Sequence, residues 1–184
     1  MNINRTDALK LLHEHVKSDS LRKHCLAVAY AMEAYAEKYN EDKDVWFITG
    51  LLHDFDYEKY PNLQQHPFEG VKILKFLGYQ DEIIEAILGH AEYSGIERKT
   101  NLAKALFALD ELSGLIVALA KVRPNNFAGM DSNSISKAMK KKGFAAAINR
   151  DDIEKGIKEL NVDKDEHFNL VISALAKNKV ELGF

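Results

Sequence analysis

Residues 44–54 read Asp-Val-Trp-Phe-Ile-Thr-Gly-Leu-Leu-His-Asp. Val45, Trp46, Phe47, Ile48, Leu51 and Leu52 place apolar side chains almost all round a helix. A helix of that kind belongs in the interior of a protein. Asp44 is the expected cap, with the helix running over 45–54. The two residues that close the run, His53 and Asp54, are ionisable where everything before them is oily. Burying such groups costs several kcal/mol unless they are paired or bind a cation.

Helical spacing continues on both sides. A first helix is expected over 5–16, capped by Asn4 or Thr6, and Ser18-Asp19-Ser20 opens a second to about Tyr39. The second helix carries a stripe of Leu21, His24, Val28, Met32 and Tyr35 at steps of three and four. A loop over 55–65 contains Pro61-Asn62. Pro67 then suits the first turn of a helix ending near Gly78. Another helix runs from Asp81 to Gly89 or His90. A long one starts at Asn101 and stops before Pro124. A polar connection over 125–133 leads to a basic segment over 136–143. Asp151 with Glu154, and Asp163 with Glu166, have capping-box spacing and open two last helices. The fold class is therefore all-α, eight or nine helices in one domain over 1–184. The core is expected over about 18–122 and a C-terminal helical cap over about 123–184.

The composition agrees. There are 184 residues, enough for one full core, with 46% hydrophobic and 29% charged. Ten glycines and three prolines are few breakers for this length. No apolar run reaches the roughly 18–20 residues of a membrane span. Residues 1–10 hold no apolar signal segment, and the single cysteine, Cys25, cannot form an internal disulfide. These features point to the cytoplasm and away from a membrane. A net charge of −3 argues against a role coating nucleic acid.

Four histidines and two aspartates stand out. His24 lies on an apolar stripe, His53-Asp54 close the buried helix, and His66 precedes a proline at a helix mouth. His90 ends a helix, and Asp110 lies among Leu102, Leu106, Ser113 and Val117. Each alone has an ordinary reading as a core histidine, a cap or a partner of the helix dipole. A divalent ion explains the six together. Imidazole and carboxylate suit Mn, Fe, Co, Ni or Zn, or the harder Mg, and a cation removes the repulsion of a buried Asp54–Asp110 pair. Adjacent residues on a helix point about 100° apart, so a helix end is where the backbone can aim both His53 and Asp54 inward. A metal lowers the pKa of its water toward neutrality.

The order His24, His53-Asp54, Asp110 on successive helices, with the phrase Gly50-Leu51-Leu52-His53-Asp54, resembles the HD superfamily of metal-dependent phosphohydrolases. The resemblance covers about 21–119, and residues 122–150 are similar to small bacterial HD proteins of this length. It implies that His24, His53, Asp54 and Asp110 bind one metal. His66 and His90, lying between the doublet and the last aspartate, imply a second metal bridged by Asp54. The cofactor is then one or two divalent ions, and Asp54 is the catalytic residue that orients the attacking water. The implied substrate is a small phosphorylated molecule, nucleotide-like in type, hydrolysed at an ester or anhydride. Some HD-type bundles signal without turnover, and some with this ligand order hold di-iron and oxidise their substrates. The sequence also departs from known subtypes. Phe55-Asp56 replaces the usual small pair, no Gly-Tyr-Pro signature is present, and Lys59 comes five residues after Asp54.

Anionic substrates need cations beyond the metal. Arg123 and Arg150 are the candidates, because guanidinium is the better phosphate fork; the Lys140-Lys141-Lys142 run reads as a solvated face. Asp56, Glu58, Glu69 and Glu92 are candidate general acids that mostly read as solvated loop carboxylates. His13 and His15 read as surface residues. His167, in the first turn of the last helix, has no evident partner.

Overall fold

The computed structural model describes residues 4–184; Met1, Asn2 and Ile3, part of the segment read above for a signal, lie outside the described residues. Short polar side chains start the first helices. Asn4 accepts from the Asp7 N–H to open α1 (Arg5–His15), and Ser18 accepts from Leu21 to open α2 (Asp19–Tyr39). Asp42, rather than Asp44, caps α3 (Lys43–Leu52), accepting from the Asp44 and Val45 N–H groups. The helix therefore starts and stops two residues earlier than expected. His53 and Asp54 sit in the turn that leaves it.

The chain continues through α4 (Phe68–Phe76), α5 (Asp81–His90), a 3-10 turn (Glu92–Ser94) and α6 (Asn101–Val122). Then come α7 (Ser132–Lys140), α8 (Arg150–Leu160) and α9 (Lys164–Lys177). The described residues thus form nine α-helices and no strand. Gly78, with φ of 79°, follows α4 in the left-handed region that a C′ residue adopts. Two further starts differ from expectation. Asp131 and Ser134 cap each other's ends of the first turn of α7, so the polar connection ends sooner. Asn149, accepting from Asp151 and Asp152, opens α8 in place of Asp151. Asp163 caps α9 as read.

Trp46, Phe47, Ile48, Leu51 and Leu52 are all buried, which puts α3 in the interior against α2, α1 and α5. The helix α6 carries a run of buried Leu, Ala, Phe and Ile and packs on α5, α2 and α8. Gly156 lets α8 approach α6 closely; a Cβ there would lie 2.5 Å from Ala108 Cα. The last three helices rest on this layer: α7 and α9 both touch α6, and α9 also packs along α2. No helix among the described residues is long and apolar enough to cross a membrane.

Candidate metal centre

His24 comes from α2, His53 and Asp54 from the turn after α3, His66 from the turn before α4, His90 from the last turn of α5, and Asp110 from the middle of α6. The packing of α3 against α2, α5 and α6 brings all six side chains to one point. They form two groups that share Asp54.

In the first group His24 Nε2 lies 3.0 Å from Asp110 Oδ1 and 3.3 Å from His53 Nε2. His53 Nε2 lies 3.3 Å from Asp110 Oδ1 and 3.5 Å from Asp54 Oδ2. His24 Nε2 is 3.8 Å from Asp54 Oδ2. In the second group Asp54 Oδ1 lies 3.3 Å from His66 Nε2 and 3.4 Å from His90 Nε2, and these two nitrogens are 3.3 Å apart.

The hydrogen positions follow from what the other ring nitrogens do. His53 Nδ1–H donates to Gly50 O at 2.8 Å, and His90 Nδ1–H donates to Ile87 O at 2.5 Å. His66 Nδ1–H donates to Asp56 Oδ1 at 2.7 Å. A neutral imidazole with its proton on Nδ1 offers a lone pair at Nε2. Lone pairs of His66 and His90 therefore converge with a carboxylate oxygen, and so does that of His53 on the other side of Asp54. Lone pairs meeting at this distance repel unless a proton or a cation lies between them. Donors around an ion at 2.0–2.2 Å in tetrahedral or octahedral geometry lie roughly 2.8–3.6 Å from one another. All but one of these separations fall in that range. The residues fit one divalent ion held by His24, His53, Asp54 and Asp110, and a second held by Asp54, His66 and His90.

Without a cation, protons take its place. Burial opposes charge on His53, but the Asp54 and Asp110 carboxylates outweigh it and raise the imidazole to about 9. His66 is raised to about 9 against its burial by Asp54 and Asp56. In return the histidines overcome burial and hold the Asp54 and Asp110 carboxyls below the usual carboxylate range.

Asp56 corrects the reading of a solvated loop acid. It is buried, its Oδ1 accepts from His66, and its Oδ2 accepts from the Gly70 N–H at 2.7 Å. A Cβ on residue 70 would lie 2.7 Å from Asp56 Cγ, so only glycine permits this approach. Glu58 is also structural, its Oε2 accepting from the Lys17 and Ser18 N–H groups at 2.9 Å. Glu69 pairs with Lys72 and Glu92 with Arg98 and Lys155.

The two arginines do not do what was expected of them. Arg123 spends Nε on Asn126 O at 3.0 Å and Nη2 on Ala128 O at 2.9 Å. Arg150 donates to the carbonyls of Ala145, Ile148 and Phe144. Neither lines the cavity over the six residues. The physical reason is local: the turns after α6 and before α8 leave carbonyls without helical partners, and a guanidinium fork satisfies several at once. His15 is half-buried, edge-on to Phe55, and not a free surface residue. His167 is buried and accepts from Tyr35 Oη–H at 2.5 Å, a partner lying 132 positions away.

A cavity of about 770 Å³ opens over the cluster. Besides His24, Asp54, His66, His90 and Asp110 it is lined by Tyr57, Tyr93, Phe107, Glu92, Glu111 and Asp152, with Ala147, Ile148 and Asn149 from the C-terminal segment. Burial, and then the neighbouring Asp110, push the Glu111 carboxyl up to about 7. Burial and the charge of Asp54 lift the Tyr93 phenol to about 12. Sequence reasoning missed Glu111, Asp152 and the three aromatic residues. Glu111 could have been suspected from its place beside Asp110; Asp152 had no signal beyond the first turn of a helix.

A family model described as HD domain matches residues 21–115. No curated protein and no solved structure matches the chain.

Proposed function

Because the chain belongs to the HD-domain family, a superfamily of metal-dependent phosphohydrolases, we propose that it hydrolyses a small phosphate ester or anhydride, nucleotide-like in type. The observation that carries this reading is the two-sided use of Asp54, whose Oδ2 faces His53 while Oδ1 faces His66 and His90. His24, His53, Asp54 and Asp110 would hold one divalent ion, and Asp54, His66 and His90 a second. When bound, such ions supply Lewis-acid stabilisation of phosphoryl charge and an acidified water. Asp54 is the residue that joins the two groups and orients the attacking water. Asp56, Gly50 and Ile87 keep the three rings of His66, His53 and His90 in the required tautomer through hydrogen bonds at Nδ1. Ile148 and Asn149, from the C-terminal segment, contribute to the cavity wall beside the cluster.

The test is elemental analysis of the purified protein, followed by a phosphatase and phosphodiesterase panel with Mn, Co, Ni, Fe, Zn and Mg. Wild type and Asp54→Ala are run in parallel. Metal in the wild type with metal-dependent phosphate release, both lost in Asp54→Ala, is the expected result. Equal activity in the two proteins overturns it.

A further inference from the structure

The cavity over the candidate metal centre has an uneven charge. Among the described residues that line it there is no lysine and no arginine. The two arginines that might have reached it are tied to backbone carbonyls. Of the three acids beyond the cluster, Glu92 is neutralised by Arg98 at 2.6 Å and Lys155 at 2.5 Å. Glu111 and Asp152 make no ion pair, and the cations that act on Asp152 from a distance, Lys155 and Arg98, are already engaged by Glu92. Asp152 only accepts from Asn149 Nδ2 at 2.6 Å. Tyr57 and Tyr93, each 44% exposed, present rings rather than charge at the mouth.

Resting on the hydrolase reading above, we infer that Glu111 and Asp152 act as an electrostatic filter. They admit esters with a single phosphoryl group and an uncharged or cationic leaving group, and turn away polyphosphate chains. The charge balance explains why. Two divalent ions less the charges of Asp54, Asp110 and the attacking hydroxide would leave one positive charge, which one phosphoryl dianion already exceeds. A second phosphate, or any other anion on the leaving group, that lies against Glu111 and Asp152 meets carboxylates with no lysine or arginine lining the cavity beside them. Sites built for polyphosphates place Lys or Arg where the further phosphates lie. An uncharged or ammonium-bearing leaving group meets aromatic rings and carboxylates instead, which favour it. The filter comes from both parts of the chain, Glu111 from α6 and Asp152 from α8.

The test uses three phosphate monoesters of similar size. Their leaving groups end in trimethylammonium (choline phosphate), in tert-butyl (3,3-dimethylbutyl phosphate) or in carboxylate (4-hydroxybutyrate O-phosphate). Turnover is measured as kcat/KM on Mn-loaded protein. Binding is measured separately, by calorimetric titration with the matching non-hydrolysable phosphonates and with inorganic phosphate. We expect the cationic and neutral compounds to exceed the carboxylate by at least tenfold in both readouts. In Glu111→Gln/Asp152→Asn that gap should shrink below threefold, and thermal melts and metal content check that the variant is folded and loaded. A carboxylate compound used as well as the neutral one, or a gap unchanged in the double variant, overturns the filter and leaves the hydrolase reading standing. Graded binding without turnover of any ester sinks the hydrolase reading and keeps the filter. Failure to bind any phosphonate or phosphate overturns both.

Discussion

Asp56 Oδ1 accepts the Nδ1 proton of His66 at 2.7 Å, and this one hydrogen bond decides which nitrogen His66 turns toward Asp54. The loop after the His-Asp doublet is therefore part of the centre, although Asp56 does not face it directly. Outer partners of this kind typically change metal affinity by about 10–100-fold. Asp56→Asn should weaken the ion held by Asp54, His66 and His90 by that factor and spare the one held by His24, His53, Asp54 and Asp110. Competitive Mn titration followed by electron paramagnetic resonance checks this. Equal loss from both groups contradicts the assignment.

Removing ligands one group at a time should give a stepwise result. His90→Ala is expected to retain about half of the wild-type metal content, and Asp54→Ala almost none, because only Asp54 belongs to both groups. Elemental analysis after extensive dialysis reads the ratio directly.

The metal-free protein should lose stability toward alkaline pH. His53 and His66 are raised from 6.5 to about 9 in the fold. A raised histidine stabilises fully below its unfolded value and loses that contribution as pH rises through the folded value. The melting temperature of the metal-free form should therefore fall between about pH 6.5 and pH 9. Loading with metal replaces those protons, so the loaded form should not show the decline, and its metal affinity should rise over the same interval. Parallel thermal melts with and without chelator provide the measurement.

At the acid end His167 matters. Burial lowers this imidazole from 6.5 to about 4, and Tyr35 Oη–H is bonded to its neutral form. The unfolded chain takes up the proton first as pH falls below 6.5, so stability drops from there to about 4 and then levels. The shift corresponds to about 3 kcal/mol at 1.36 kcal/mol per unit. His167→Gln should flatten this part of the profile while lowering stability at pH 7. A profile identical to wild type would falsify the assignment of acid sensitivity to this buried pair.

Gly70→Ala should cost about 1–3 kcal/mol, typical of forcing a methyl group into a packed site. The added Cβ would lie 2.7 Å from Asp56 Cγ, so Asp56 must shift and His66 with it. Chemical denaturation gives the stability loss. A loss of metal from the His66 side beyond it distinguishes this position from an ordinary packing defect.

Much of this protein could be read from its sequence. The all-helical class followed from 3.6-residue periodicity and few breakers, since helices form from local contacts that a short window contains. The helix boundaries that slipped did so where several acceptors compete for the same N–H groups, as with Asp42 and Asp44, or Asn149 and Asp151. The six candidate ligands were nameable because ionisable residues on apolar stripes demand a reason. Asp56 was not, because burial of a loop residue depends on what folds over it.

The sequence by itself determined the all-helical class and which ionisable residues stand out on apolar helices, because periodicity and residue chemistry are local properties, and the order of those residues carried the family resemblance. Tertiary structure alone decided that Asp54 divides the six residues into two groups, that Asp56 orients His66, that Arg123 and Arg150 serve carbonyls, and that Glu111 and Asp152 share one wall. These depend on distances between helices far apart in the chain. Such distances are set by how whole faces pack, as at Gly156 against Ala108, and no residue's neighbours in sequence record them.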